Sequence, residues 1–155
     1  HYEFTHCTFA AYSTDYIQHK EPVLSISNSY VRNSLMSVHD LDAQFRNCII
    51  WGESGGLVPN EIAVNKTEGT SYKVLFENVL WNPSKELANS TLSGADIRNE
   101  NPLFQNLNFS DHLYDFHLKE GSPALNKGSA TSLLFDLDGN PRPVGLPDLG
   151  AYEKQ

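Results

Sequence analysis

One six-residue pattern recurs along this 155-residue chain and breaks its own period each time. Phe4-Thr-His6-Cys7-Thr-Phe9, Phe45-Arg-Asn47-Cys48-Ile-Ile50 and Phe76-Glu-Asn78-Val79-Leu-Trp81 share one order. A Phe comes first, then Asn or His two positions on, then a small apolar residue, then a large apolar one. Tyr2, Ala43 and Val74 stand two positions before each Phe. Side chains alternate across a strand, so Val74 and Phe76 share one face, and so do Val79 and Trp81. The three-residue step from Phe76 to Val79 breaks that alternation. A strand that keeps both pairs inside must turn a corner between them, at Asn78, Asn47 and His6. Asn and His are enriched among the non-glycine residues that adopt positive φ, which such a corner needs.

Strand, corner, strand with apolar residues inward on both arms is one side of a coil in a parallel β-solenoid. Stacked coils place Phe4, Phe45 and Phe76 in one interior ladder. Cys7, Cys48 and Val79 form the next, and Asn47 stands on Asn78 with His6 in the matching corner. One coil cannot bury its inner face alone, so several must stack. A weaker fourth copy is Phe104-Gln-Asn106-Leu107-Asn-Phe109, with Pro102 before it. The other sides of the coil are expected at Val23–Ser27, Glu61–Val64 and Tyr72–Phe76, separated by turns at Gly52–Gly56, Asn60, Asn65 and Gly69. Residues 28–42 read as an insertion loop. Residues 83–89 read as a short helix, with Pro83 in its first turn. Coils therefore occupy residues 1–98. Residues 99–155 lose the repeat, gain Pro, Gly and turns, and form a closing cap of the same all-β domain. Leu103, Phe104, Phe116, Leu118, Leu125, Leu149 and Tyr152 supply apolar cover over the last coil.

The charge balance narrows the partners. Eleven basic residues against nineteen acidic ones leave a net charge of −8, with no Lys/Arg cluster. That excludes a phosphate-binding footprint, so nucleic acid is not expected. No apolar run is long enough to span a bilayer. Cys7 and Cys48 are too few for a disulfide scaffold, and side chains stacked in register on parallel strands point the same way. Both are expected as reduced thiols. The strand pattern is already running at Tyr2, which sets a further expectation. Residues 1–12 should pair with coils upstream of His1 or with a second copy of the same end, because an open solenoid edge is a template for strand pairing.

Four segments of the closing region stand in a recognisable order. They are Asn101-Pro-Leu-Phe104, Asp115-Phe-His-Leu-Lys-Glu-Gly-Ser-Pro-Ala-Leu125, Asp136-Leu-Asp-Gly-Asn-Pro-Arg-Pro143 and Pro147-Asp-Leu-Gly-Ala-Tyr-Glu153. The set resembles the C-terminal end of secreted right-handed parallel β-helix proteins of the pectate-lyase-like superfamily, of the kind abundant in Bacteroidetes. Cys48-Ile-Ile-Trp-Gly52 followed by Glu61-Ile62 is similar to their last coils. Asn101 and Asn126 depart from the pattern, standing where relatives carry Asp. The resemblance implies a right-handed β-helix, export to the bacterial cell surface or medium, and association with polysaccharide. It assigns no activity, because a shared fold does not fix function.

No catalytic constellation stands out from the residues themselves. Asp136, Asp138 and Asn140 at alternate positions, with Gly139, match the start of a calcium loop, and Asp148 is the nearest acidic group where the loop needs its last ligand. An Asp/Gly/Asn turn accepting backbone N–H groups explains the same residues and is preferred. Trp51, three positions past Cys48, should face outward, where its ring is a platform for a sugar. The acidic pairs Asp40/Asp42 and Asp111/Asp115 are the obvious candidates for glycosidase chemistry, which needs two carboxylates roughly 5–10 Å apart. Lys73 and Arg46 sit at outward positions where a lyase would hold its base. The six histidines show no ligand spacing. The expected role is structural and binding: the closing portion of an exported, carbohydrate-associated surface protein. A polysaccharide lyase or glycoside hydrolase, and an adhesin-like module, are the alternatives.

Overall fold

A computed structural model describes residues 1–14, 16–142 and 146–155; Pro143, the last residue of the Asp136 motif, lies outside the described residues. The described residues are all-β, with no helix. The strands are β1 (Tyr2–Thr5), β2 (Thr8–Tyr12), β3 (Leu24–Ser27), β4 (Ser29–Arg32), β5 (Leu35–Val38), β6 (Leu41–Glu53), β7 (Ile62–Asn65), β8 (Tyr72–Trp81), β9 (Thr91–Arg98), β10 (Phe104–Asn108) and β11 (Leu113–Leu118). Among the described residues no helix is long and apolar enough to cross a membrane.

The repeated unit builds the main sheet, and every pairing in it is parallel. β6 lies between β8 on one side and β1 and β2 on the other, and β9 pairs with the far edge of β8. Phe4 stands opposite Phe45, and Phe45 opposite Phe76. Their rings stack with centroids 4.7 and 5.0 Å apart. His6, Asn47 and Asn78 take φ of +53°, +54° and +53°, so each strand turns at the same place. Beyond the corner Thr8 pairs with Ile49, and Cys48 with Val79. Cys7 and Cys48 are free thiols.

A second parallel pair closes the interior. β3 and β7 align Leu24 with Ile62 and Ile26 with Val64. Ile26, Ile62 and Val64 pack into one buried cluster with Phe45, Cys48, Ile50, Phe76, Val79 and Trp81. Side chains of the first arms, the second arms and the β3–β7 pair thus meet in one core. Burial of the Phe column with Ile50 and Trp81 makes this core the main hydrophobic contribution to the fold.

The fourth strand is not the expected one. Phe104–Phe109 does not join the parallel sheet; β10 runs antiparallel to β11. β9 takes the fourth place, with Leu92 opposite Phe76. The register shifts after Glu77, and Gly94 turns the corner at φ +69°. The Asn78 side chain accepts the Ala95 N–H at 2.8 Å. A Cβ on Gly94 would lie 2.1 Å from that same Asn78 oxygen, so only glycine fits beside it.

Two further expectations are corrected. Residues 28–42 are not a plain loop: β4 and β5 form an antiparallel hairpin. Asn33 and Ser34 both take positive φ, the conformation of a type I′ turn, and Ser stands where Gly is the usual signal. Residues 83–89 hold bends and turns instead of a helix. So short a helix is marginal without packing. The segment is instead held by side chains at both ends: Asn82 bonds both backbone groups of Gly52, and Glu86 pairs with Arg98.

The closing segment packs on a side of the stack, not over its end. Phe104, Leu118, Ala124 and Leu149 cover the outward face of the second arms at Ile49, Trp51 and Leu80, flanked by Tyr12 and Ile97. That face crosses all four strands. Leu103 takes no part; it is exposed and at positive φ. Tyr152 packs against His117 instead of the main sheet, with ring centroids 4.0 Å apart.

Asn47 joins the two layers. Its side chain is fully buried. Its Nδ2 meets His6 Nε2 at 3.0 Å and donates to the Ser129 carbonyl at 2.7 Å. Its Oδ1 accepts from Asn78 Nδ2 at 3.1 Å and Ser129 N–H at 3.0 Å, and its carbonyl accepts the Gly150 N–H at 2.9 Å.

Phe45→Ala should cost about 3–5 kcal/mol, because it empties the middle of a stacked column. Phe4→Ala, at the half-covered end of the same column, should cost less. Chemical denaturation of the two variants checks the order. Asn47→Gly keeps the backbone free to take positive φ and loses only the side-chain bonds. Asn47→Ala loses both, and should be the less stable by about 1–2 kcal/mol. Equal midpoints for the pair would mean that the corner is unstrained.

Candidate functional site

The residues singled out by sequence are mostly employed in structure. Trp51 faces outward as the alternation requires, but it is only 6% exposed. The closing segment lies over it, and its Nε1 donates to Glu53 Oε1 at 3.0 Å. It therefore cannot serve as a sugar platform. Asp136 accepts the N–H groups of Asp138, Asn140 and Glu153 at 3.0, 2.8 and 3.1 Å. Those bonds outweigh the upward push of burial and hold its carboxyl below the usual range. Asp148 accepts from the N–H groups of Asn126 and Lys154 at 2.7 and 2.8 Å. Asp138 turns the other way, to His117 Nε2 at 2.9 Å. Among the described residues no group of three or more His, Cys, Asp or Glu side chains is placed to hold a metal ion.

The acidic pairs are also engaged. Asp40 accepts the Ser71 N–H at 2.9 Å, and Asp42 meets His1 at 2.9 Å. Asp111 accepts from Asn108 at 2.8 Å. Asp115 holds His117 Nδ1 at 2.6 Å. Arg46 pairs with Glu77 at 3.0 Å across neighbouring strands. His117 is thus clamped on both ring nitrogens. Burial pulls its pKa down, but the bonds to Asp115 and Asp138 outweigh it and hold the imidazole above its usual value. A histidine held by carboxylates on both nitrogens pins the closing segment.

A different place carries unassigned chemistry. The end of β6 and the loop after it, the approach to β7, and the turns after β8 and β9 surround a groove of about 430 Å³. Its walls carry the carboxylates of Glu53 and Glu61, the amides of Asn60, Asn82 and Asn99, and the hydroxyls of Ser54 and Ser84. No Lys, Arg or aromatic side chain is part of this lining. Asn82 fixes the floor, accepting the Gly52 N–H at 3.3 Å and donating to the Gly52 carbonyl at 2.5 Å. Ser54 Oγ accepts the Val58 N–H at 2.9 Å and closes the glycine-rich turn.

Glu61 is the unusual group. Its carboxylate is almost fully buried, and His19 Nε2 meets it at 2.7 Å, with side-chain exposures of 9% and 5% for the two. Glycine at position 52 makes the room: a Cβ there would sit 2.3 Å from the Glu61 carboxyl carbon. His19 and Glu61 lie 42 residues apart in the chain. Sequence reading missed the pair, since neither residue belongs to the repeated unit. The one available signal was Glu61 itself, a carboxylate leading into the apolar strand Ile62–Asn65.

Compared with known proteins, the chain matches no family model, no curated protein and no solved structure.

The two interior thiols differ in accessibility. Cys48 is fully buried and Cys7 is half-buried at the sheet edge. The neighbouring Cys48 side chain lowers the Cys7 thiol, while Cys48 is pushed up by that neighbour and by burial. The His6 imidazole is lowered to about 4, first by burial and then by the Arg142 charge. Its folded value is depressed, so protons favour the unfolded chain between about 6.5 and 4. Stability should fall over that window as pH falls, by on the order of 3 kcal/mol when complete. His6→Asn, which matches the other corners, should flatten this acid arm in urea titrations at a series of pH values.

Proposed function

We propose that this chain is the closing portion of a right-handed parallel β-helix of the pectate-lyase-like kind, exported to the cell surface, where it associates with polysaccharide. The supporting observation is the in-register parallel stack of bent strands, with its Phe column, its left-handed Asn and His corners, and a second parallel pair at β3–β7. Phe104, Leu118, Ala124 and Leu149, from three of the segments that carry the family resemblance, pack against this stack. Bending every strand at one residue is what lets parallel walls wrap a single core.

The groove beside Glu61 is the glycan-binding surface in this reading. Amides, hydroxyls and carboxylates are the donors and acceptors that hydroxyl-rich ligands need. The Glu53 carboxylate and the lack of Lys or Arg in the lining favour a neutral glycan over a uronate polymer. The same fact argues against lyase chemistry, whose base would be a Lys or Arg. Glycoside hydrolysis is the enzymatic alternative, favoured by Glu53 and Glu61 lining one groove.

Electrophoresis through gels loaded with neutral or uronate polysaccharide tests the reading. A neutral glycan should retard the protein and a uronate polymer should not. Glu53→Gln with Asn99→Gly keeps the Trp51 acceptor and the positive φ at 99. It should weaken retardation at least tenfold without changing the melting temperature. Retardation by no glycan would overturn the reading. Release of new reducing ends, lost in Glu61→Gln, would establish the hydrolase in its place.

A further inference from the structure

A second groove, of about 700 Å³, opens where the loop after β2 faces the end of β10. The loop supplies Ser13 and Tyr16, and the end of β10 with its turn supplies Asn106, Asn108, Phe109 and Ser110. Among the described residues its lining holds no Asp, Glu, Lys, Arg or His. Without a cation it has nothing to pair with a phosphate or carboxylate. Most of its side chains are hydroxyls and amides, which an acyl chain would leave without partners.

Both walls are fixed locally. Thr14 closes the loop: its N–H donates to the Ile17 carbonyl at 2.7 Å, and its Oγ1 accepts the N–H groups of Tyr16 and Ile17 at 3.3 and 3.0 Å. Ser13 Oγ accepts the His19 N–H at 3.0 Å. The turn leaves Tyr16 82% exposed. On the other wall Phe109 packs on Tyr12 and Tyr114, with ring centroids 5.3 and 6.0 Å apart. The Asn108 amide donates to Asp111 at 2.8 Å and accepts the Asp111 N–H at 3.1 Å. So exposed a Tyr contributes little to the fold, and an exposed ring rimmed by polar groups is what a ligand groove uses.

The second groove adjoins the one beside Glu61. Ser13 lines the second and Ser54 the first. Ser13 Oγ donates to the Ser54 carbonyl at 3.1 Å, and the Ser13 N–H donates to the Glu53 carbonyl at 2.8 Å. We infer that the second groove is a further glycan subsite, with Tyr16 as its platform, and that one neutral polymer runs from it across the Ser13–Ser54 contact into the groove beside Glu61. A pyranose presents C–H groups on its faces and hydroxyls at its rim. The aromatic ring of Tyr16 meets a face, and the Asn106 and Ser110 side chains, both exposed, meet the rim. An uncharged lining suits an uncharged sugar unit. Resting on the glycan reading, this site makes the ligand a chain of several units, because a single ring cannot fill grooves of about 430 and 700 Å³.

Electrophoresis through gels loaded with hydroxyethyl cellulose, galactomannan or starch tests the inference. Tyr16→Ala should weaken retardation about tenfold, the loss of one aromatic platform, with the melting temperature unchanged. Tyr16→Trp should restore retardation and Tyr16→Leu should not. With oligosaccharides of the retarding polymer as competitors, long ones should outcompete short ones on the native chain, and Tyr16→Ala should remove that advantage. Native retardation in Tyr16→Ala, a loss that Tyr16→Trp does not restore, or equal competition by short and long oligosaccharides would each overturn the inference and leave the groove beside Glu61 standing. If no polymer retards the native chain, the second subsite and the glycan reading fall together.

Discussion

The buried side chain of Asn47 is the constraint on which the rest of the structure depends. Its backbone turns the strand, and its amide joins three things that otherwise would not meet. These are the corner before it in the stack, the corner after it, and the closing segment at Ser129. A buried amide with all its groups satisfied is worth more than its separate bonds, because each alternative leaves a polar atom without water. The close approach at Gly128, where a Cβ would come within 3.0 Å of the Asn47 side chain, shows how tightly that joint is drawn.

From that corner follow two cores rather than one. The inward face of each second arm, Cys48 and Ile50 or Val79 and Trp81, belongs to the aromatic interior. The outward face, Ile49 and Trp51 or Leu80, belongs to the layer under the closing segment. This is why Cys48–Trp51 and Val79–Trp81 read as unbroken apolar runs while the first arms alternate. A strand covered on both sides has no polar face to show. The groove beside Glu61 forms just past these doubly covered arms. Its walls come from chain turns that the rigid stack holds in place, an arrangement that favours binding residues on loops.

The two sheet edges carry opposite instructions. β9 sets Leu92 over Phe76 but ends the second-arm columns on Asp96 and Arg98, and β1–β2 leaves all of them apolar. Edge strands are where a parallel stack must either stop or continue, and side-chain charge decides which. The clamp of His117 between Asp115 and Asp138 works differently: it fastens the closing segment to itself and leaves both edges untouched.

The stack was legible in the sequence because its cause is local and repeated. A three-residue step between apolar pairs, with Asn or His in the middle, has few physical solutions other than a bent strand. The fourth strand was not legible: Gly94 replaces the Asn, the loop before it is short, and the decoy Phe104–Phe109 keeps the pattern without the pairing. The β4–β5 hairpin was hidden by Ser34 at a turn position where Gly is the signal. Trp51 shows the limit most clearly. Alternation determined that its ring points outward, and only the path of the closing segment decided that outward is not solvent. His19 and Glu61 belong to the same class, since nothing in either neighbourhood names the other. The sequence by itself determined which residues bend, which face inward and which columns they form, because those follow from period and φ. The tertiary structure alone decided what covers the outer face, which carboxylate is buried and which edge stays open, because those depend on contacts between segments far apart in the chain.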